Sequence, residues 1–123
     1  MVETFYFDTY ALVEISLSNP KYSPYKDNIK VILNKLNLFE LCYYFKRKGM
    51  IQRSKEIFQE YSKYNVDYDD EILMKAAEMK LKYLKKRISF VDCIGYLLAK
   101  KNNAKFLTGD EHFRNMDNVE FVK

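Results

Sequence analysis

The sequence has few cysteines, histidines, glycines and prolines, and each of these shortages excludes some classes of protein. Only two of its 123 residues are cysteine and one is histidine. Cys42 and Cys93 have neither the spacing of a disulfide framework nor that of a zinc knuckle, so we expect two buried thiols in a reducing compartment. With three glycines and two prolines, the chain shows no repeat, low-complexity segment or linker.

Long hydrophobic runs and a leader peptide are also lacking. The longest apolar runs fall far below the roughly 18 residues of a membrane span, and "MVETFYF" has no positively charged start followed by a long apolar stretch. We therefore expect a cytoplasmic protein. The abundant residues are apolar (48%) and aromatic (16%), which excludes a disordered tail and favours one domain over residues 1–123.

Short strand patterns alternate with helical ones along the chain. Both prolines fall in a loop at 19–28, and a short strand is expected at Val66. This alternation predicts the α/β class, as a three-layer α/β/α sandwich around a central, mostly parallel sheet of four or five strands. The other predicted strands are 2–8, 29–34, 105–108 and 119–122, and the predicted helices are 9–18, 36–48, 50–64, 71–87 and 90–103.

Two predicted strands run directly into acidic residues. Asp8 ends the first predicted strand, and Asp110 follows the strand in "AKFLTGDEHF" (104–113). In open α/β sheets ligands bind outside the carboxyl ends of the strands. If these two strands are neighbours, the two acids face each other.

Two further acids lie inside apolar helices. Glu40 is part of "LFELCYYF" and Asp92 is part of "SFVDCIGYLL", where an unpartnered carboxylate would be costly to bury. Helix capping is the local alternative, and Asp8 and Asp110 taken singly could also be turn or cap residues. The spacing of a cap residue and an acid three positions later occurs in three places: Asn37 to Glu40, Ser89 to Asp92, and Thr108 to Glu111.

Taken together, the four acids favour a metal site over separate caps. Helix N-termini and strand ends meet at the same sheet edge, so Asp8, Glu40, Asp92 and Asp110 could converge. Carboxylates this close need a counter-charge, and all-oxygen ligands favour Mg²⁺ or Mn²⁺. Such a cation supports phosphodiester hydrolysis. The one histidine, His112, is expected at the surface.

Three segments resemble the characteristic blocks of the PIN domain family: "FYFDTYAL" (5–12), "NLFELCYY" (37–44) and "SFVDCIGYLLAKKNNAKFLTGDEHF" (89–113). The short chain is similar to the VapC-type toxins of prokaryotic toxin–antitoxin pairs. The resemblance implies a parallel sheet flanked by helices and a metal-dependent endoribonuclease that hydrolyses RNA. It also implies a homodimer inhibited by a cognate VapB-like antitoxin, whose tail enters the acidic cleft.

The resemblance also assigns roles to individual residues. Asp8, Glu40, Asp92 and Asp110 match the family's acids, with Asp8 and Asp92 as direct ligands of Mg²⁺ or Mn²⁺. One departure is that Asn34 and Asn37 stand where a Thr or Ser is expected before the Glu40 helix. The remaining candidates are Thr9 and Thr108, which could orient water or a carboxylate, and Glu111 and Asp117, which could replace Asp110 or add to it.

The main alternative is a catalytically silent PIN-like module that binds RNA or protein. A haloacid-dehalogenase-like phosphatase would need an acid where Tyr10 stands, and a receiver domain would need paired acids before Asp8. Contact with RNA would come from "KRK" (46–48) and "KLKYLKKR" (80–87), although a solvated helix face explains the same lysines. The other candidates for RNA contact are Lys100, Lys101 and Lys105 by charge, and Tyr10, Tyr43 and Tyr44 by stacking on bases.

Overall fold

Four parallel strands form the centre of the molecule. A computed structural model describes residues 2–123, and its sheet has the strand order β2-β1-β3-β4, with every neighbouring pair parallel. The predicted α/β class is confirmed, with four strands. The predicted strand at Val66 is only an isolated bridge between Leu33 and Asn65. The strands are β1 (Thr4–Phe7), β2 (Lys30–Ile32), β3 (Lys105–Thr108) and β4 (Val119–Phe121).

Five helices cover both faces of this sheet. They are α1 (Thr9–Ser16), α2 (Lys35–Arg47), α3 (Ile51–Tyr61), α4 (Asp70–Lys82) and α5 (Phe90–Lys101). No helix within residues 2–123 is long and apolar enough to cross a membrane.

The side chains of β1 alternate between two hydrophobic cores. Phe5 and Phe7 pack in a cluster with the apolar faces of α1, α2 and α3. Tyr6 points to the opposite face, where it packs with residues of α4 and α5. The three-layer α/β/α arrangement is therefore confirmed, and the sheet's carboxyl edge lies between the two helical layers.

Two predicted helices extend three or more residues beyond the observed helix ends. The helix expected at 50–64 ends at Tyr61 and is followed by a single 3-10 turn over Ser62–Tyr64. The helix expected at 71–87 ends at Lys82 because the chain must turn inward to bury Ile88, which is 2% exposed. Arg87 adopts a left-handed conformation (φ 57°) to make this turn, and the ammonium of Lys80 donates to the Ile88 carbonyl at 2.9 Å.

A glycine allows α5 to approach the sheet closely. A Cβ atom placed on Gly95 would lie 2.8 Å from the ring of Tyr6. The small residue therefore lets the Tyr6 ring pass beneath the helix. This close approach brings the first turn of α5, which carries Asp92, toward the end of β1.

Candidate active site

Asp8 lies at the carboxyl edge of the sheet, where β1 and β3 are adjacent. Phe7 is paired with Leu107, and the Asp8 amide donates to the Leu107 carbonyl at 3.3 Å. The side chain of Asp8 is 1% exposed and accepts a hydrogen bond of 2.8 Å from the Ala11 amide, which caps α1. Asp8 can therefore cap α1 and also belong to the acidic cluster.

Asp92 lies in the first turn of α5. Ser89 caps this helix, as the sequence predicts: its hydroxyl accepts from the backbone amide of Asp92 at 3.1 Å. The cap thus uses the backbone of Asp92. Its carboxylate is close enough to those of Glu40 and Asp110 for their charges to raise its pKa.

Glu40 is held by a chain of hydrogen bonds that begins on the sheet. The Tyr6 hydroxyl donates to Oδ1 of Asn37, and Nδ2 of Asn37 donates to the Thr9 hydroxyl at 3.2 Å. Thr9 in turn donates to Oε1 of Glu40 at 2.5 Å. Every donor in the chain points toward the carboxylate, so each bond polarises the next.

The capping alternative for Asn37 is wrong, because Asn37 does not cap α2. Asn34 caps α2 through the Leu36 amide, at 3.0 Å. The amide of Asn37 is instead fully buried and used by Tyr6 and Thr9. Sequence reasoning missed this positioning role, and the only local signal was an amide within an apolar helix, one turn before Glu40.

The loop after β3 directs Asp110 toward the cluster. The Thr108 hydroxyl accepts from the Asp110 amide at 3.0 Å. Asp110 itself caps the short turn Glu111–Phe113 through the His112 amide, so the predicted pairing of Thr108 with Glu111 is wrong. The ring of His112 is partly exposed, with Nδ1 3.1 Å from the Asp110 carboxylate.

Glu111 and Asp117 form ion pairs with lysine and arginine side chains outside the acidic cluster. Glu111 pairs with Arg114 at 2.6 Å and with Lys123 at 2.7 Å, and hydrogen bonds from these two residues lower its pKa to about 2. Asp117 pairs with Lys100 at 3.0 Å. Each carboxylate therefore already has its own counter-charge.

Two acids of the cluster have raised pKa values. Burial is the largest cause for Asp8, followed by the charge of Asp92, while a hydrogen bond from Thr108 opposes the shift. For Asp92, burial first and then the charges of Glu40 and Asp110 raise the pKa to about 7. The cluster therefore carries negative charge that the protein alone compensates poorly.

The donor set fits a hard divalent cation, although the carboxylates are not gathered around one point. Among residues 2–123, no three His, Cys, Asp or Glu side chains are close enough to share a metal ion as they stand. Each of three carboxylates is engaged by a donor of the protein: the Ala11 amide donates to Asp8, the Thr9 hydroxyl to Glu40, and the His112 amide to Asp110. All-oxygen donors with uncompensated charge suit Mg²⁺ or Mn²⁺. The metal roles of these acids remain predictions.

Comparison with known proteins identifies the family. The family model of the PIN domain matches residues 5–119, nearly the whole chain. The chain belongs to the PIN domain family. No curated protein matches the sequence.

Solved PIN-like structures share the fold at low sequence identity. A toxin–antitoxin complex from Klebsiella pneumoniae contains a similar chain with a TM-score of 0.74 and 13% identity, covering 94% of this chain and 95% of that one. PAE2754 from Pyrobaculum aerophilum has a TM-score of 0.69 and 15% identity over 99% and 92%. VapBC2 from Rickettsia felis, bound to a DNA fragment from its promoter, has a TM-score of 0.74 and 15% identity over 97% of each chain.

Proposed function

We propose that this PIN protein is a metal-dependent endoribonuclease that hydrolyses RNA phosphodiester bonds, and that residues 1–123 form one PIN-like domain. One observation carries the proposal. Four acids from four different segments lie at the carboxyl edge of the sheet, and burial and mutual charge raise the pKa values of two of them. These acids are Asp8 after β1, Glu40 in α2, Asp92 in α5 and Asp110 after β3.

The four acids have distinct proposed roles. Asp8 and Asp92 are the direct ligands of Mg²⁺ or Mn²⁺, and Glu40 and Asp110 complete the acidic set. When bound, such a cation lowers the pKa of water and stabilises charge on the phosphoryl group. In the hydrolysis, a water oxygen bonds to phosphorus, the bond to the leaving ribose oxygen breaks, and a proton ends on that oxygen.

Two hydroxyls position these carboxylates. Thr9 holds one oxygen of Glu40 at 2.5 Å, and the Thr108 hydroxyl, which lowers the pKa of Asp8, accepts from the Asp110 amide at 3.0 Å. Fixing the acids before substrate arrives reduces the reorganisation that the reaction requires. Thr9 and Thr108 are therefore proposed as positioning residues.

The proposed biological setting is a type II toxin–antitoxin pair in the cytoplasm. Two of the similar structures are a toxin–antitoxin complex and a VapBC2 assembly, which supports a VapC-type toxin with a VapB-like antitoxin. A homodimeric state is part of the same proposal. Light scattering of the purified chain should give twice the monomer mass. Adding the protein encoded beside it should form a larger complex and suppress RNA cleavage.

Cleavage of RNA tests the enzymatic proposal directly. Purified protein is incubated with a pool of single-stranded and structured RNA in Mn²⁺, in Mg²⁺ or in EDTA. We expect cutting with either metal and none in EDTA. Asp8→Asn and Asp92→Asn should each lose more than about a hundredfold in rate, beyond the usual effect of losing an outer partner of a metal ligand.

The matched control is Glu78→Gln, which neutralises an exposed acid on α4. This variant should cut like the unmodified protein. If folded protein, free of antitoxin, cuts no RNA in any condition and gains no thermal stability from Mn²⁺, the endoribonuclease proposal is wrong. A silent binding module would then be the better description.

A further inference from the structure

A groove leads away from Glu40 along the outer side of α2. It has a volume of about 590 Å³ and is lined by Thr9, Glu40, Tyr43, Tyr44, Arg47 and Lys48. We call these six residues the α2 groove. Five of them follow one another at helical spacing from the acidic cluster, so they share one face of α2.

The order of side chains along this face is informative. Glu40 of the proposed site comes first. Tyr43 and Tyr44 follow one turn later, and Arg47 and Lys48 follow after another turn. The distance from Glu40 to Lys48 along the helix axis is about 12 Å at 1.5 Å per residue. This length accommodates a base together with its phosphate.

The two tyrosines offer one fixed ring and one open ring. Tyr44 is half-buried and packs edge-on against Phe45, with 5.2 Å between ring centroids. Tyr43 is 56% exposed. Its ring is available to an unpaired base, since base stacking on an aromatic side chain tolerates every base.

The charged groups of Arg47 and Lys48 lie next to the tyrosine rings, and within residues 2–123 neither forms an ion pair with a carboxylate. The Arg47 guanidinium lies 5.6 Å from the Tyr43 ring centre, and the Lys48 ammonium lies 5.0 Å from that of Tyr44. Within residues 2–123, no carboxylate lies within ion-pair distance of either cation. Their charges are therefore free to neutralise phosphate.

Other basic residues are less suited to this role. Lys100 and Lys101 are paired with Asp117 and Asp69. Lys105 lies at the first residue of β3, on the edge of the sheet opposite the acids. Within residues 2–123, Arg47 and Lys48 are the basic residues that line the same cavity as Glu40.

We propose that the α2 groove binds a single-stranded RNA segment beside the scissile phosphate, with a base stacked on Tyr43 and a phosphate bound by Arg47 and Lys48. The inference rests on the proposed endoribonuclease function and adds to it the side chains that hold the RNA beside the site. A single strand is required because a paired base cannot present its face to Tyr43.

RNA binding tests the groove separately from cleavage. A fluorescently labelled single-stranded RNA is titrated in an Asp92→Asn background with Mn²⁺, which keeps the RNA intact. Arg47→Gln/Lys48→Gln should bind about tenfold more weakly and reduce the salt slope of log K by about 0.7 for each phosphate that is no longer neutralised. The control Lys30→Gln/Lys105→Gln, which removes the same charge at the opposite edge, should bind like the parent.

Stacking is tested with two variants of one residue. Tyr43→Leu should weaken binding about tenfold, the range found for removing a base–aromatic stack, whereas Tyr43→Phe keeps the ring and should bind normally. All substituted residues except Asp92 are exposed, and thermal melting confirms that each variant is folded. The groove proposal would be wrong if Arg47→Gln/Lys48→Gln and Lys30→Gln/Lys105→Gln weakened RNA binding equally. It would also be wrong if Tyr43→Leu weakened the binding of duplex RNA as much as that of single-stranded RNA.

Cleavage by proteins with native Asp92 separates the two proposals. If RNA is cut and the groove variants bind and cut like the control pair, the groove is wrong and the endoribonuclease stands. If no RNA is cut although the groove variants bind RNA more weakly, the endoribonuclease is wrong and the groove stands. If the groove variants lost binding to a protein partner but bound RNA normally, the proposed RNA-binding role of the groove would also be wrong.

Discussion

The Thr9 hydroxyl donates a hydrogen bond of 2.5 Å to the Glu40 carboxylate, joining the start of α1 to the second turn of α2. Thr9 also accepts from the Asn37 amide at 3.2 Å. A residue next to Asp8 in sequence therefore sets the orientation of another acid 31 positions away. Thr9 therefore links the start of α1, directly after Asp8, to the carboxylate of Glu40.

Replacing Thr9 with valine should damage activity and stability together. Thr9→Val keeps the shape but leaves the Asn37 amide and Glu40 without a partner, which costs about 1–3 kcal/mol in the free energy of unfolding. Because Glu40 is then no longer held in place, the RNA cleavage rate should fall about 10- to 100-fold.

Urea denaturation and single-turnover cleavage measure these two effects. Thr9→Ser is the matched control, since it restores the hydroxyl and should recover most of the rate. A Thr9→Ser variant as inactive as Thr9→Val would show that the methyl group matters rather than the hydrogen bond.

Local sequence patterns predict the parallel sheet and the acids that follow two of its strands, but not that those two strands are neighbours. Alternating short strands and helices predicted the parallel α/β sandwich, because a parallel pair requires a crossover connection. The adjacency of β1 and β3 then brings Asp8 and Asp110 to one edge. These features depend on hydrophobic pattern and chain direction, which the sequence carries directly.

The interior hydrogen bonds of α2 could not be predicted in this way. Asn34 and Asn37 are both good cap residues by type, and only Asn34 caps. Asn37 is committed to Tyr6 and Thr9, which lie 31 and 28 positions away. No local pattern indicates partners so distant in sequence. The early end of α4 at Lys82 likewise depends on burying Ile88.

Alanine at position 95 should destabilise the protein, against the usual trend. In a helix, alanine is normally more favourable than glycine by about 1 kcal/mol. Here the new Cβ would lie 2.8 Å from the Tyr6 ring, and overpacking of this kind costs about 1–3 kcal/mol. Chemical denaturation of Gly95→Ala measures the net effect. A gain in stability would show that α5 and Tyr6 can move apart freely.

The fourth acid should be Asp110 rather than Asp117. Asp110→Asn can still cap the turn through its amide oxygen, so the fold is expected to persist while the RNA cleavage rate falls about tenfold or more. Asp117→Asn should cut normally, because Asp117 is paired with Lys100 and bonded to Tyr96. Parallel rate measurements on the two variants decide between them, and the reverse ranking would reassign the site.

Mn²⁺ should stabilise the folded protein. A ligand that binds only the native state adds about 2.7 kcal/mol at a concentration 100 times its dissociation constant. Thermal unfolding with increasing Mn²⁺ should therefore show a rising midpoint, and EDTA should reverse it. Asp8→Asn and Asp92→Asn should abolish the rise, whereas Glu78→Gln should retain it. A midpoint that rises equally in all four proteins would place the bound metal elsewhere.

Without added metal, stability should fall as the pH rises toward neutrality. Asp92 has a folded-state pKa of about 7 against an ordinary value of 3.8, so between these values the folded state holds a proton that the unfolded chain has released. The free energy of unfolding therefore decreases with pH over this range, and the raised pKa of Asp8 acts in the same direction. Urea denaturation in EDTA from pH 5 to pH 8 tests this. Asp92→Asn should make the decrease smaller, with the remainder due to Asp8, whose pKa is also raised by burial. An unmodified protein that gains stability over the same range would show that these carboxylates are ionised and already compensated by the fold.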